Sequence, residues 1–325
     1  MALASIQQVL AINPIDGADR IELATINGWE CVVKKGEFSQ GDLGVYFEID
    51  SVVPDKEWSK FLESKKFRIK TASFKKQISQ GLLMPLNSVF EAGMDLTEVL
   101  GVEKYEKPVA ISLRGLVAGN FPSHLISKTD ELNLQSHLRS LDWIRGKEIY
   151  ETVKLDGTSA TYITHTAGEE TKHYICSRNM QYKEDQEGNV YVNIYKNSIQ
   201  KALQEEKNLA IQGELVGPGI QKNTLGLPDY AFYIFSIKDL VEKRYYGIDE
   251  IEAFCKKHEL NHVPIVERYV AESQHDLTWF KSRCGGSNMF NGREREGIVV
   301  RTTTHEGTGM ISFKVLNPKY LLKED

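Results

Sequence analysis

The segment Tyr150–Tyr162, YETVKLDGTSATY, sets a lysine two residues ahead of an aspartate and a glycine, inside a run that alternates as a strand does. Alternate side chains of a strand share a face, so Lys154 and Asp156 project together while Val153 and Leu155 point the other way. Two chemistries are open: an ion pair on a solvated face, or an amine nucleophile beside an acid. Four further segments put charge where a strand is normally half buried. They are Arg178 in ICSRNM, Glu214 in AIQGELVGPG, Glu296 in REREGIVVR and Lys314 in ISFKVLNP. Each by itself has an alternative reading as a surface ion pair, which contributes little. If the strands share one sheet, a lysine, two other cations and three acids converge. Cations hold a polyphosphate, acids hold a divalent metal, and Lys154 becomes available as nucleophile.

The elements that must position these residues follow from periodicity. Strand-like runs around 148–164, 172–177, 209–216, 231–237, 296–303 and 310–316 alternate with helical stretches at 190–206 and 247–258, an α+β pattern built mainly on antiparallel pairs. Residues 1 to about 90 read as all-β. The runs SIQQVLAI, RIELATI, WECVVKK, LGVYFEI and QGLLMPL are separated by the turn signals NPIDGAD, NGW, KKGEFSQGD and VVPD, the spacing of a small closed barrel. Between the later strands, DKEWSKFLESKKFRIKTASFKK interleaves Lys60, Lys65, Lys66, Arg68, Lys70, Lys75 and Lys76 with Trp58, Phe61, Phe67 and Phe74. That mixture suits single-strand contact in an OB-type barrel, and it equally suits a solvated lysine-rich loop over core aromatics. A helix-like DLTEVLGV and a polar connector with Pro108, Gly115, Gly119 and Pro122 mark the domain junction.

The chain has 325 residues, 41% hydrophobic and 26% charged, which excludes intrinsic disorder and allows two domains. A formal net charge of -5 excludes nucleic-acid binding by bulk electrostatics and leaves it to local patches. No apolar run approaches the roughly 20 residues that span a bilayer, and the N-terminus lacks a signal-peptide pattern, so a cytoplasmic protein without membrane contact is expected. Cys31, Cys176, Cys255 and Cys284 lack CxxC spacing, which argues against a disulfide framework or zinc ribbon. Cys255, His258 and His262 have helical ligand spacing, but DEIEAFCKKHELNHVP reads as an amphipathic helix with a structural cysteine and solvated histidines.

In order, KLDG, SRN, GELVGPG, FYIFSI, EGIVVR and FKVLNPKYLL resemble motifs I, Ia, III, IIIa, IV and V of the covalent nucleotidyltransferases, the polynucleotide ligases and RNA capping enzymes. KTDELNLQ, SRNMQYKED and GELVGPGIQKN are most similar to ATP-dependent 3'-OH/5'-phosphate RNA ligases with an N-terminal OB module. The resemblance implies an α+β chain: an OB-like nucleic-acid-binding domain with connector at 1–110, then at 111–325 a nucleotidyltransferase domain of antiparallel sheets with flanking helices, an ATP-grasp-like ligase adenylation fold. It implies that Lys154 attacks the α-phosphate of ATP to give lysyl-AMP, with Asp156, Glu214 and Glu296 holding the hydration shell of Mg2+ or Mn2+. Arg178 and Lys314 would contact the ribose-phosphate, with Val153 and Gly157 lining the nucleotide. Phe235 would stack on adenine against an aliphatic residue, which alignment gives as Val299 and strand parity with Glu296 gives as Ile298. The chain departs from the pattern at Asn133, where relatives often carry arginine. It also departs at the single motif V lysine, since Ser312 or Leu316 takes the partner position and Lys319 is the nearest substitute. The implied function is RNA ligation through lysyl-AMP and RNA-adenylate by a monomer, on RNA with 3'-OH and 5'-phosphate ends, nicked duplexes included. A GTP-using capping guanylyltransferase, a DNA ligase and a non-catalytic nucleic-acid-binding protein remain as alternatives.

Overall fold

The computed structural model describes residues 2–86, 90–105, 117–304 and 310–323. Contacts group the chain into two units, Met1–Pro108 with Leu134–Leu138 and Pro318–Asp325, and Val109–Asn133 with Arg139–Asn317. The expected junction at 110/111, with Pro108 and Gly115, lies outside the described residues. A single cut there does not anticipate the two later returns of the chain to the first unit.

In the first unit, β1 (Ala4–Pro14), β2 (Ile21–Ile26), β3 (Trp29–Lys34), β4 (Leu43–Phe47) and β5 (Leu82–Pro85) form one antiparallel sheet in the order β3-β2-β1-β4-β5. The five alternating runs of the sequence are these five strands. β1 pairs with β4 through Ala4–Gln8 and with β2 from Val9 onward, and a bulge between Val9 and Ala11 turns it from one partner to the other. The sheet ends are joined by Gln80 N–H donating to Glu30 O at 2.8 Å and Val32 N–H to Ser79 Oγ at 2.9 Å. Ile6, Phe47, Val53, Ile69 and Leu96 belong to its core.

Part of the cation-and-aromatic stretch packs into the core and part faces solvent. Trp58 stacks on Phe47 with ring centroids 5.4 Å apart, and Arg68 is pinned between Asp50 and the Tyr105 ring. Phe61 and Phe74 face solvent, and Lys75 (φ 50°) and Lys76 (φ 69°) form the exposed tip of the hairpin Ala72–Phe74/Gln77–Ser79.

The second unit contains β6 (Glu148–Lys154), β7 (Thr158–Ala167), β8 (Glu170–Ser177), α1 (Val190–Ile194), α2 (Gln200–Glu205), β9 (Leu209–Val216), β10 (Ala231–Asp239), α3 (Ile248–Lys257), β11 (Ile265–Val270), α4 (Leu277–Arg283), β12 (Gly297–Thr302) and β13 (Ser312–Leu316). One sheet runs β8-β7-β9-β10 with short edge strands, and the other runs Leu132–Asn133, β13, β12, β6, β11. Leu132–Asn133 pairs parallel with β13 and Asn261–His262 parallel with β10, so the antiparallel pattern is not complete. Tyr162, Ile211, Leu215 and Ile234 on one face of the first sheet pack with Tyr191, Leu203, Ile251 and Phe254 of the helices. The opposite face carries Glu214 between Ser159 and Tyr233, and Gln212 between Thr161 and Ser236.

β11 and α4 were not legible in advance. PIVERYV is an edge strand of partly exposed residues without strict alternation, and α4 is a short helix capped by the Asp276 carboxylate on Trp279 N–H. One expectation is corrected: His258 is not solvated. Its side chain is 3% exposed, its Nε2 lies 2.8 Å from Glu206 Oε1, and its ring lies against Phe254. Cys255 is buried in the core beside it, so the set is structural.

Candidate active site

β6 ends at Lys154, and the three residues Leu155–Gly157 carry the chain from the second sheet into β7 of the first. The KLDG turn is therefore the crossover between the two sheets. Gly157 is required there: a Cβ would lie 2.5 Å from Leu215 O and 2.8 Å from Glu214 Cγ. Its absence lets β9 approach the turn, where the Gly157 backbone favours the charged form of Glu214.

Register determines what shares the lysine's face. Lys154 lies opposite Gly297, which lies opposite Leu316. Thr152, Val299, Lys314 and Asn133 form the next cross-strand row, and Tyr150, Arg301 and Ser312 the one after. Opposed residues project from the same side of a sheet. Val299 is thus on the lysine's side, whereas Ile298 pairs with Val153 on the other. Parity counted from Glu296 points to Ile298, on the other face, because Glu296 precedes β12, whose regular alternation begins at Gly297. Val153 is buried in an apolar cluster with Leu155, Val216 and Val263, so its side chain is not on the lysine's face.

Lys154 Nζ donates to Glu296 Oε1 at 2.7 Å. Burial opposes charge on this amine, but the carboxylates of Glu296, Glu214 and Asp156 outweigh it and hold the pKa above the ordinary lysine value. Burial, with the negative charges of Glu296 and Asp156, pushes Glu214 up to about 8 against the opposing pull of Lys154. Three acids thus surround one ammonium. Among the described residues no group of three or more His, Cys, Asp or Glu is placed to ligate a metal directly. A donor set of carboxylates around an amine fits a hydrated magnesium or manganese, which keeps several waters and takes few protein oxygens.

Arg178 follows β8 and donates from Nη2 to both Asp130 oxygens at 2.8 Å. Lys128 reaches Asn179, and Thr129 Oγ1 lies 3.0 Å from Ser159 Oγ, so the KTD and SRN segments meet. Phe235 is the extra residue of a β-bulge: Gly213 opposes Ile234 and Gln212 opposes Ser236, which leaves Phe235 outside the ladder, packed against the cluster of Val153 and Leu155. That ring lies 5.4 Å from Arg301 Cζ. The two candidate partners for Lys314 both share its face, Ser312 bonded to Glu131 and Leu316 buried. Lys319 lies in the short helix Pro318–Leu321, which belongs to the first unit.

Three residues had no role in the sequence reading. Arg301, buried on the lysine's face, pairs with Glu131; two-residue parity from Val299 was its available signal. Asn317 clamps the approach to Glu296, its N–H donating to Glu296 O at 2.8 Å and its Nδ2 to Arg295 O at 3.0 Å. Thr224 Oγ1 lies 3.4 Å from Asp156 Oδ2, a contact that no local pattern announces.

Compared with known proteins, residues 3–86 match an OB-fold domain family and residues 147–316 match the RNA ligase family. No curated protein matches the sequence. Among solved structures, a lysine-to-alanine variant of the Naegleria gruberi RNA ligase with ATP and manganese is 32% identical, with a TM-score of 0.88 over 99% of this chain and 98% of that one. The same ligase with pyrophosphate has a TM-score of 0.89 over the same shares, and a glutamate-to-alanine variant with AMP and manganese has 0.88 over 99% of both chains, each at 32% identity. The first unit is an OB fold, the second carries the family match from β6 through Leu316, and the chain belongs to the RNA ligase family.

Proposed function

We propose that this ATP-dependent RNA ligase joins a 3'-OH to a 5'-phosphate in three phosphoryl transfers, the first onto Lys154. The observation that carries the reading is the Lys154 amine, set on Glu296 within the field of Glu214 and Asp156 at the crossover of the two sheets. The ammonium gives up its proton to solvent, and Nζ attacks the α-phosphorus of ATP. A P–N bond forms as the bond to the pyrophosphate oxygen breaks. AMP then passes from Lys154 to the RNA 5'-phosphate, and a 3'-OH displaces it. In-line placement and charge neutralisation do most of the work in such transfers.

Asp156, Glu214 and Glu296 would hold magnesium or manganese through its water shell. Bound there, the cation offsets both the field that keeps Lys154 protonated and the charge developing on the α-phosphate. Phe235 and Val299 enclose the adenine, and Arg301 steadies the Phe235 ring. Lys314 neutralises phosphate from the row next to Lys154. Arg178 exchanges Asp130 for the nucleotide's oxygens. Gly157 and the Val153 backbone line the nucleotide. Four buried free thiols support an intracellular setting. The first unit contacts RNA through its exposed lysines and Phe61 and Phe74.

Incubation with radiolabelled ATP and magnesium or manganese should give a covalent AMP adduct that Lys154→Ala abolishes. A wild-type protein that never labels, or that labels as well from GTP, overturns the assignment.

A further inference from the structure

The connection between β9 and β10, Gly217–Tyr230, is built in an unusual backbone region. Gly217, Gly219, Gln221, Lys222, Asn223 and Gly226 all have positive φ, and Gln221 (φ 45°), Lys222 (φ 59°) and Asn223 (φ 48°) are consecutive non-glycine residues. Side chains avoid this region because Cβ crowds the following carbonyl, and such strain persists only where the surroundings over-determine it. Here they do. Ile220 is anchored in the helix-covered core and Leu225 in the cluster with Val153 and Leu155. Asn223 donates from Nδ2 to Leu227 O at 2.8 Å and accepts at Oδ1 from Leu227 N–H at 3.1 Å. Asn291 donates to Thr224 O at 3.0 Å. A Cβ on Gly217 would meet Tyr230 Cα at 2.8 Å, so the two ends of the loop close on each other.

The fixings have two results. Thr224 is held on Asp156, which ties the loop to the KLDG turn. Two residues earlier, Lys222 is presented to solvent at the centre of the left-handed turn, and the Tyr230 ring at the loop's end is 44% exposed. An exposed lysine on a held backbone and an exposed ring, on a loop bonded to the turn after Lys154, match what a nucleic-acid strand requires, a phosphate contact and a stacking face. In the second transfer, the strand bearing the 5'-phosphate is the one whose end must reach AMP on Lys154.

We propose that the Gly217–Tyr230 loop is a binding site for the 5'-phosphate strand of the RNA, with Lys222 on a phosphodiester near the terminal phosphate. The proposal rests on Lys154 carrying AMP, so its test separates the two. Binding of a 5'-phosphorylated single-stranded RNA oligonucleotide is measured by fluorescence anisotropy over a salt series in Lys154→Ala, with and without Lys222→Ala. Isolated AMP-enzyme is also chased with the same RNA without ATP. Lys222→Ala should weaken RNA binding about tenfold and make its salt dependence shallower by roughly one phosphate contact. Transfer of AMP at subsaturating RNA should fall about tenfold further than labelling of Lys154 falls, and Lys222→Arg should restore it. Unaltered binding and salt dependence in Lys222→Ala, or labelling and transfer lost in the same proportion, overturns the assignment of the loop. Absence of labelling in the wild type overturns the Lys154 reading instead, while the binding arm still reads the loop.

Discussion

Lys154 and Glu214 show how a reactive site conflicts with folding. The raised lysine pKa means that the stability contributed by its ion pairing is fully present below the unfolded lysine value of about 10.4 and is lost as pH rises past the folded value. The neutral amine is accordingly scarce near neutrality, and labelling of Lys154 should accelerate as pH is raised. Glu214 acts in the opposite sense. Between the ordinary carboxyl range and about 8, the folded metal-free protein binds a proton there that the unfolded chain has released, so its stability falls as pH rises through that window. Glu214→Gln removes this penalty. At about pH 9 without metal the variant should melt higher than the wild type by ~2 °C or more in thermal unfolding. On the proposed reading of Glu214 as support for the cation, Lys154 labelling in this variant should fall roughly 100-fold.

At the scale of elements, the site depends on two irregularities in otherwise regular strands. One is the crossover at Gly157, where β9 comes within contact of the turn; the other is the bulge that turns Phe235 out of its ladder. Gly157→Ala forces a methyl against the Leu215 carbonyl oxygen, which is backbone and cannot rotate away. Denaturant unfolding should show a loss of about 1–3 kcal/mol. Labelling should fall more than that loss alone explains, because the added methyl pushes Glu214 away from Lys154. A variant with wild-type stability and labelling would show that the close approach has no importance for the site.

The whole molecule divides its tasks between an OB fold and a ligase unit, each with its own core. The first unit is discontinuous in sequence. Gln135 exchanges hydrogen bonds with Gly28, N–H to Gln135 O at 3.1 Å and Nε2 to Gly28 O at 2.9 Å, and Trp29 Nε1 donates to Ser136 Oγ at 3.0 Å. Truncation after residue 90 would strip these partners, so point substitutions are the cleaner probe of the OB fold. Lys75→Ala with Lys76→Ala should reduce sealing of pre-adenylylated RNA severalfold more than labelling of Lys154. It should also lower the salt dependence of sealing by roughly two phosphate contacts. Equal effects on sealing and labelling would remove the hairpin from RNA handling.

The runs of apolar residues were enough to locate the five barrel strands, β8 to β10, β12 and β13, while β6 and β7 read as one run at 148–164 whose break at Leu155–Gly157 has no apolar signal. The order of short charged motifs was enough to group Lys154, Asp156, Glu214 and Glu296, because charge in runs that otherwise bury their residues is a local mark in the chain. Register, bulges and returns of the chain were beyond it. Val299 rather than Ile298 beside the lysine, Arg301 against Phe235, Asn317 on the approach to Glu296 and Thr224 on Asp156 all depend on which strand lies next to which. That neighbour relation is a property of the assembled sheets, and residues far apart in the chain carry no local mark of it.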